Sequence, residues 1–325
     1  MHSKCCSLAV LILFFVMAVA VRPAGSGPPT HMRAMWVWST RTVVTNHAER
    51  DRFLRYIVDA KFTDVYLYLR ARDYTTLEPA LRALVLTLRK SGIRAWGMEG
   101  WRGYFSDVDG PAALYGAADA MIAFNKRNTV GFVGFHSDVE FPDGQGDGTV
   151  RFHNGVAQSK LTAKQSADRD GLLAEWLSMH VTLLGKAKAI DIIYSAAIPS
   201  WVDDYEGEPI TAVHQGVRKG LMQHLMAVVQ DYVIMSYNTN PANVISRIGG
   251  ELEYADSLRE PRPRILFGLE THAGAGIHVS YADTPSKGTR AAVLADYEAI
   301  SHRASEHRSF AGGAIHDWEG WRDLR

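Results

Sequence analysis

Eight short apolar runs, separated by longer amphipathic segments, recur between residues 32 and 315 of this chain. The runs are rich in β-branched and aromatic residues, which favours strands, and the segments between them repeat apolar side chains with a helical period. One of these segments ends in basic residues followed by Gly92, as helices commonly do. The predicted strands cover residues 32–38, 64–69, 93–98, 130–135, 190–196, 231–236, 265–269 and 310–315.

Eight strands that alternate with helices predict an α/β fold of the (β/α)8 TIM-barrel type, which needs ~250 residues. The alternative is an open doubly wound sheet, which usually carries a glycine-rich phosphate loop after its first strand. The segment "WVWSTRTV", residues 36–43, contains no glycine. The segment "EGWRDLR", residues 319–325, comes shortly after the last run, so we expect the eighth helix to be short or missing. A single barrel domain is predicted for residues 28–325.

The amino-terminal residues 1–27 have the three-part pattern of a secretory signal peptide. Lys4 precedes an apolar run over residues 7–21, and small and loop-forming residues follow it. The alternative is a single membrane anchor, for which the run is short. We therefore expect a secreted, periplasmic or cell-surface protein without stable membrane insertion after the signal is removed. Cys5 and Cys6 would leave with the signal, so no disulfide is expected.

The charge balance argues against a nucleic-acid partner, because Lys+Arg and Asp+Glu both number 35 and nucleic-acid binding favours a basic surface. No cofactor is expected. Four side chains are of types that bind divalent metals, namely His136, Asp138, Glu140 and His316. They do not form a spaced metal motif, so no metal site is predicted. The eight Trp residues are either core residues or platforms for sugar rings.

Polar and aromatic side chains follow the predicted strands, where a barrel has its functional face. In "VGFHSDVEFPD", residues 133–143, positions 136, 138 and 140 share one face of a strand, and such polar groups need water, a ligand or a function. Each of these residues taken singly is also explained as a helix cap, a loop residue or a core residue. The predicted substrate-binding residues are Trp38, Glu99, Trp101, His136, Trp201, Asn238, His316 and Trp318.

The segments "FHSDVE" and "DYVIMSYN" resemble the chitinase-type glycoside hydrolases of family 18. The fourth strand of that family ends in Asp-x-x-Asp-x-Asp-x-Glu, whose last two acids match Asp138 and Glu140. The first two aspartates of the motif fall on Val133 and His136. The resemblance therefore covers half of this motif.

The sixth-strand motif of the same family, Met-x-Tyr-Asp/Asn, matches Met235, Tyr237 and Asn238. The Trp that ends the family's eighth strand has a possible counterpart in Trp318, whereas strict spacing favours His316. Across the rest of the mature chain the resemblance is one of architecture.

The resemblance implies a glycosidase that acts on a polysaccharide or glycoconjugate, with N-acetylated glycans among the expected substrates, and the amino-terminal pattern implies that it is secreted. An N-acetyl group of the substrate would be the nucleophile, Asp138 would orient it, and Tyr237 would donate a hydrogen bond to it. Cleavage of a glycosidic bond also needs an acid for the leaving oxygen. Glu140, which we expect to be half-buried beside Asp138, would keep its proton near neutral pH and act as this acid.

Two alternatives remain open at this point. Glu140 and Glu270 resemble the acid and nucleophile of retaining glycosidases on the same barrel, for which the two carboxyl groups would lie ~5–5.5 Å apart. Val139 stands where those enzymes usually have Asn before the acid. The other alternative is a catalytically inactive, carbohydrate-binding barrel, because the fold by itself does not fix the function.

Overall fold

The structure is a computed structural model that describes residues 31–100, 103–105, 107–140, 163–205 and 207–325. Its strands are β1 (Met32–Val37), β2 (Asp64–Tyr68), β3 (Arg94–Glu99), β4 (Gly134–Ser137), β5 (Ile193–Pro199), β6 (Asp204–Tyr205), β7 (Glu208–Pro209), β8 (Thr211–His214), β9 (Val217–Gly220), β10 (Asp231–Met235), β11 (Arg264–Glu270) and β12 (Phe310–His316). All except β6 to β9 are parallel members of one closed barrel, in the order β1-β12-β11-β10-β5-β4-β3-β2. The predicted TIM barrel is confirmed, and β6–β7 and β8–β9 form two small antiparallel pairs beside it.

The fourth barrel strand begins at Gly134, later than the predicted run over residues 130–135. The side chain of Asn125 explains the difference, because it binds both the backbone N–H and the backbone C=O of Phe132, each at 2.8 Å. A strand would use those two groups in the sheet. Regular pairing with β3 therefore starts two residues later.

Helices follow the barrel strands and cover the outside of the sheet. They are α1 (Thr40–Thr45), α2 (His47–Asp59), α3 (Asp73–Thr76), α4 (Glu78–Lys90), α5 (Gly110–Arg127), α6 (Ala163–Lys188), α7 (Leu221–Leu225), α8 (Pro241–Ser257), α9 (Arg290–Ala304) and α10 (Trp318–Asp323). The last helix has six residues, as the short carboxyl-terminal segment predicted. Among the described residues, no helix has the length and apolar character needed to cross a membrane.

Large aromatic side chains fill the barrel interior. Trp36, Tyr66 and Trp96 lie on three adjacent strands, and all three are fully buried in one cluster. Gly134 makes room for them, because a Cβ atom there would lie 2.3 Å from the ring of Trp96. The interior is thus packed with side chains, as is typical of this fold.

The amino end of the barrel holds two buried ion pairs between neighbouring strands, which we call the amino-end cluster. Asp64 and Asp231 are both fully buried. Arg94 contacts Asp64 at 2.8 Å, and Arg264 donates from Nε to Asp231 at 2.7 Å. The indole N–H of Trp96 also donates to Asp64, at 2.6 Å. Two acids and two arginines therefore balance in charge at this end.

Candidate active site

The carboxyl end of the barrel strands, which we call the mouth, begins above His136 on β4. His136 is fully buried, and its Nε2 accepts a hydrogen bond from the Trp36 indole at 3.0 Å. Its Nδ1 lies 2.8 Å from the Ser195 hydroxyl. Burial lowers the pKa of His136 to about 3. His136 is therefore a neutral core histidine below the mouth, and its expected role as a direct substrate contact is not supported.

Asp138 and Glu140 continue from β4 into the mouth. The backbone N–H of Asp138 donates to the carbonyl of Glu99 at 3.0 Å. Gly100 leaves the space in which Trp38 and Asp138 approach each other, because a Cβ atom at Gly100 would lie 2.8 Å from the Trp38 ring and 3.1 Å from Asp138 Cβ. Asp138 is half-buried, whereas Glu140 is exposed in the part of the chain that the structure describes. The expected half-burial of Glu140 is corrected accordingly.

Tyr237 follows β10 and lies among carboxylates from several strand ends. Burial raises the pKa of Tyr237 well above its usual value, and the negative charges of Glu270, Asp138, Glu140 and Asp317 raise it further. Such coupling requires these groups to be near one another. The structure therefore brings together the four residues that the sequence analysis predicted as catalytic.

Glu270 at the end of β11 has both carboxylate oxygens engaged. Oε2 lies 2.8 Å from His316 Nδ1, and Oε1 accepts from the backbone N–H of His272 at 2.6 Å. A carboxylate held in this way orients a histidine more readily than it attacks a sugar carbon. The geometry thus favours Glu270 as the partner of His316 over its role as a nucleophile.

His316 at the end of β12 connects Glu270 to Trp38. The Trp38 indole donates to His316 Nε2 at 2.9 Å, which requires a lone pair on Nε2 and places the proton of the neutral ring on Nδ1. Burial lowers the pKa of His316, but the hydrogen bond and charge of Glu270 outweigh burial and raise the pKa to about 9. The Trp38 contact opposes this rise because it favours the neutral ring.

Glu99 at the end of β3 is a buried carboxyl group with a perturbed pKa. Burial raises the pKa of Glu99 to about 7, against the opposing effects of the Gly100 N–H and the charge of Arg70. Gly100 donates to Oε1 at 3.2 Å. Burial therefore favours the protonated form of Glu99 near neutral pH, and in that form the carboxyl group can donate a hydrogen bond.

Trp318 does not face the mouth, and its position does not support the prediction that it binds substrate. Its side chain is fully buried, its indole donates to Glu49 on α2 at 3.0 Å, and its ring packs edge-on against Phe53 with centroids 5.1 Å apart. The mouth position at the end of the eighth barrel strand belongs to His316, as strict spacing favoured.

The remaining predicted binding residues differ in placement. Asn238 is buried, and its side-chain oxygen accepts from the backbone N–H of Asn240 at 2.8 Å, so it shapes the turn before α8. Trp201 is partly buried against the layer between barrel and helices. Trp101 lies outside the described residues.

The sequence analysis missed Trp176 on α6, whose buried indole donates to the backbone carbonyl of Val139 at 3.0 Å. Trp176 is not part of a sequence motif, and an apolar side chain on a helix predicts only a residue of the hydrophobic core. Within the described ranges, no group of three or more His, Cys, Asp or Glu side chains is placed to hold a metal ion.

No family model matches this chain, and no curated protein matches it either. Among solved structures, similarity extends to an endo-β-N-acetylglucosaminidase from Cordyceps militaris, with 13% identity and a TM-score of 0.48 over 88% of this chain and 81% of that one. A chitinase from Chromobacterium violaceum shows 16% identity and 0.48 over 90% and 96%. The spore cortex-lytic enzyme SleL of Bacillus megaterium shows 10% and 0.49 over 93% and 72%.

Similarity at this level carries no conclusion about chemistry, so the function has to be argued from the residues of the mouth.

Proposed function

We propose that this protein is a glycoside hydrolase that cleaves glycosidic bonds of a polysaccharide or glycoconjugate at the mouth of its barrel. The observation that supports this most directly is the group of side chains at the mouth. Glu270 lies 2.8 Å from His316 Nδ1, the ring centroids of His316 and Tyr237 are 5.8 Å apart, and the charges of Asp138 and Glu140 act on Tyr237. Glycoside hydrolysis needs a proton donor for the leaving oxygen and a group that stabilises the oxocarbenium-like carbon, and carboxyl groups from several strand ends can meet both requirements.

Each of these side chains has a role that its position supports. Glu140 is exposed, so a glycosidic oxygen can reach it, and we assign it the role of the acid. Asp138 is half-buried beside Trp38 and would orient an N-acetyl group that attacks the anomeric carbon. Tyr237 would donate a hydrogen bond to the same group. The substrate class is therefore an N-acetylated glycan.

The Glu270–His316 pair would form the wall of the sugar site opposite Glu140. Because both oxygens of Glu270 are engaged, we prefer the substrate-assisted mechanism to one with Glu270 as nucleophile.

The test is turnover on a panel of N-acetylated and deacetylated polysaccharides, read as new reducing ends. The native mature chain should release ends from an N-acetylated polymer, and Glu140→Gln should lower the rate at least a hundredfold, within the range for loss of a general acid. Binding of the polymer should persist in that variant. We also propose that residues 1–27 are a cleaved secretion signal. The exported protein used in the assay should then begin near residue 27, whereas an intact amino terminus would favour a membrane anchor.

Glu306→Gln is the matched control. Glu306 is exposed in the loop between α9 and β12, at the opposite end of the barrel. The turnover rate of the variant should therefore equal that of the native chain. Substantial turnover by Glu140→Gln would exclude Glu140 as the acid.

The second candidate is a carbohydrate-binding barrel without catalysis. It is favoured by the replacement of the first two motif aspartates by Val133 and by His136, which is buried and neutral. On that hypothesis the native chain and Glu140→Gln would bind one polymer equally and release no ends from it.

A further inference from the structure

Helix α6, outside the barrel, holds the end of β4 through two separate contacts. The first is Trp176, which is fully buried and donates its indole N–H to the carbonyl of Val139 at 3.0 Å. Val139 lies between Asp138 and Glu140, and its own side chain is only 1% exposed. The carbonyl of Val139 belongs to the peptide plane that it shares with Glu140. Holding this oxygen therefore restricts the backbone dihedrals on both sides of that plane.

The second contact runs through His180, one turn after Trp176 on the same helix. His180 Nδ1 lies 2.6 Å from the Tyr194 hydroxyl, and that hydroxyl lies 2.7 Å from the Ser137 hydroxyl. All three side chains are fully or almost fully buried, and the rings of Trp176 and His180 pack edge-on with centroids 4.9 Å apart. The helix thus fixes the residues immediately before and after Asp138.

We propose that Trp176 is a positioning residue for Asp138 and Glu140, acting through the carbonyl of Val139. This inference rests on the proposed glycosidase function. Trp176 contributes no reacting group. Its effect is to keep the carboxyl of Glu140 within reach of the leaving oxygen, and a displacement of ~1 Å in a catalytic group can cost about a hundredfold in rate.

The test is Trp176→Phe, which keeps an aromatic ring in the site and removes the indole N–H. We expect kcat to fall about tenfold or more, while KM stays within about twofold. Because a loss of folded protein would also lower the apparent kcat and leave KM unchanged, kcat has to be expressed per folded molecule, with the folded fraction measured by circular dichroism. A lower kcat per folded molecule indicates positioning.

Tyr297→Phe is the matched control. Tyr297 on α9 is buried and donates to the carbonyl of Met32 on β1 at 2.6 Å. It therefore loses the same kind of bond, from a helix side chain to a barrel-strand carbonyl, but at the amino end. Its kcat should match that of the native chain.

A second variant protects the inference if Trp176→Phe folds poorly. Tyr194→Phe removes the hydroxyl between His180 and Ser137 and keeps the ring, and we expect about a threefold fall in kcat with KM unchanged. Hydrogen exchange of the backbone amides over residues 134–140 gives a readout that does not depend on turnover. Exchange there should accelerate in Trp176→Phe and remain native in Tyr297→Phe.

The outcomes separate the two proposals. If Glu140→Gln abolishes turnover while Trp176→Phe and Tyr194→Phe leave both kcat and local exchange unchanged, the positioning role is overturned and the glycosidase stands. If the native chain hydrolyses nothing, the glycosidase proposal fails. The exchange measurement still decides whether Trp176 fixes the segment, and native-like exchange would overturn that claim as well.

Discussion

The two ends of the barrel bury acidic residues in different ways. At the amino end, Asp64 and Asp231 are each held by an arginine from the neighbouring strand. At the mouth, Glu270 is held by His316, and burial raises the pKa of Glu99 to about 7. Burial raises the pKa of Asp231 as well, against the lowering effect of Arg264, so the two ends differ in the partner that each acid has and not in burial alone. An acid paired with arginine stabilises the fold, whereas a carboxyl group whose pKa lies near the working pH can exchange a proton.

Arg264→Met should produce the largest effect that follows from this comparison. It leaves Asp231 fully buried without its strongest partner, and removing one member of a buried pair costs about 3–5 kcal/mol. We expect the lower part of that range, because the arginine side chain is 40% exposed and solvent reaches the pair. Urea unfolding measures the loss. Equal stability of variant and native chain would mean that the amino-end cluster does not stabilise the fold.

Glu99→Gln should have the opposite effect on stability, and only at higher pH. Because burial raises the pKa of Glu99 from its ordinary value of 4.5 to about 7 in the folded chain, the folded state holds the proton more tightly. The native chain therefore loses stability as pH rises from 4.5 to about 7, by roughly 3 kcal/mol in total. The variant should match the native chain at pH 4 and be more stable at pH 8. Parallel stability curves at both pH values would contradict this account.

Trp38→Phe should have the smallest effect, a change in the pKa of His316 that is confined to the mouth. The substitution frees His316 Nε2 from the indole N–H, so the imidazole binds a second proton more readily and its pKa should rise. A hydrogen bond of this kind contributes about 1 kcal/mol, which corresponds to a little under one pKa unit. Titration of the His316 ring by NMR measures the shift. A lower pKa in the variant would show that the Trp38 indole does not oppose protonation of the His316 ring.

The barrel and the contents of its mouth follow from the sequence because strand ends are visible in it. Each apolar run ends at a recognisable point, and the carboxyl ends of parallel strands meet at one face. This was enough to predict that Asp138, Glu140, Tyr237 and Glu270 gather there. The same reasoning predicted the short final helix.

His136 and Trp318 are more deeply buried than the sequence predicted, for reasons that the spacing of residues along the chain does not reveal. Alternation puts His136 on the same face as Asp138, but depth along the barrel decides exposure, and Trp36 and Ser195 bury it. Trp318 opens a helix whose rotation turns its ring towards α2. Contacts of this kind depend on how the helices pack on the barrel, and a single sequence does not record it.

The packing of Trp96 against Gly134 limits the path by which a ligand can reach the mouth. Gly134 leaves room for the Trp96 ring in the interior, and the adjacent aromatic rings fill the remaining space. The barrel strands therefore enclose a packed core and not an open channel. Any ligand of the mouth must arrive and depart on the same side.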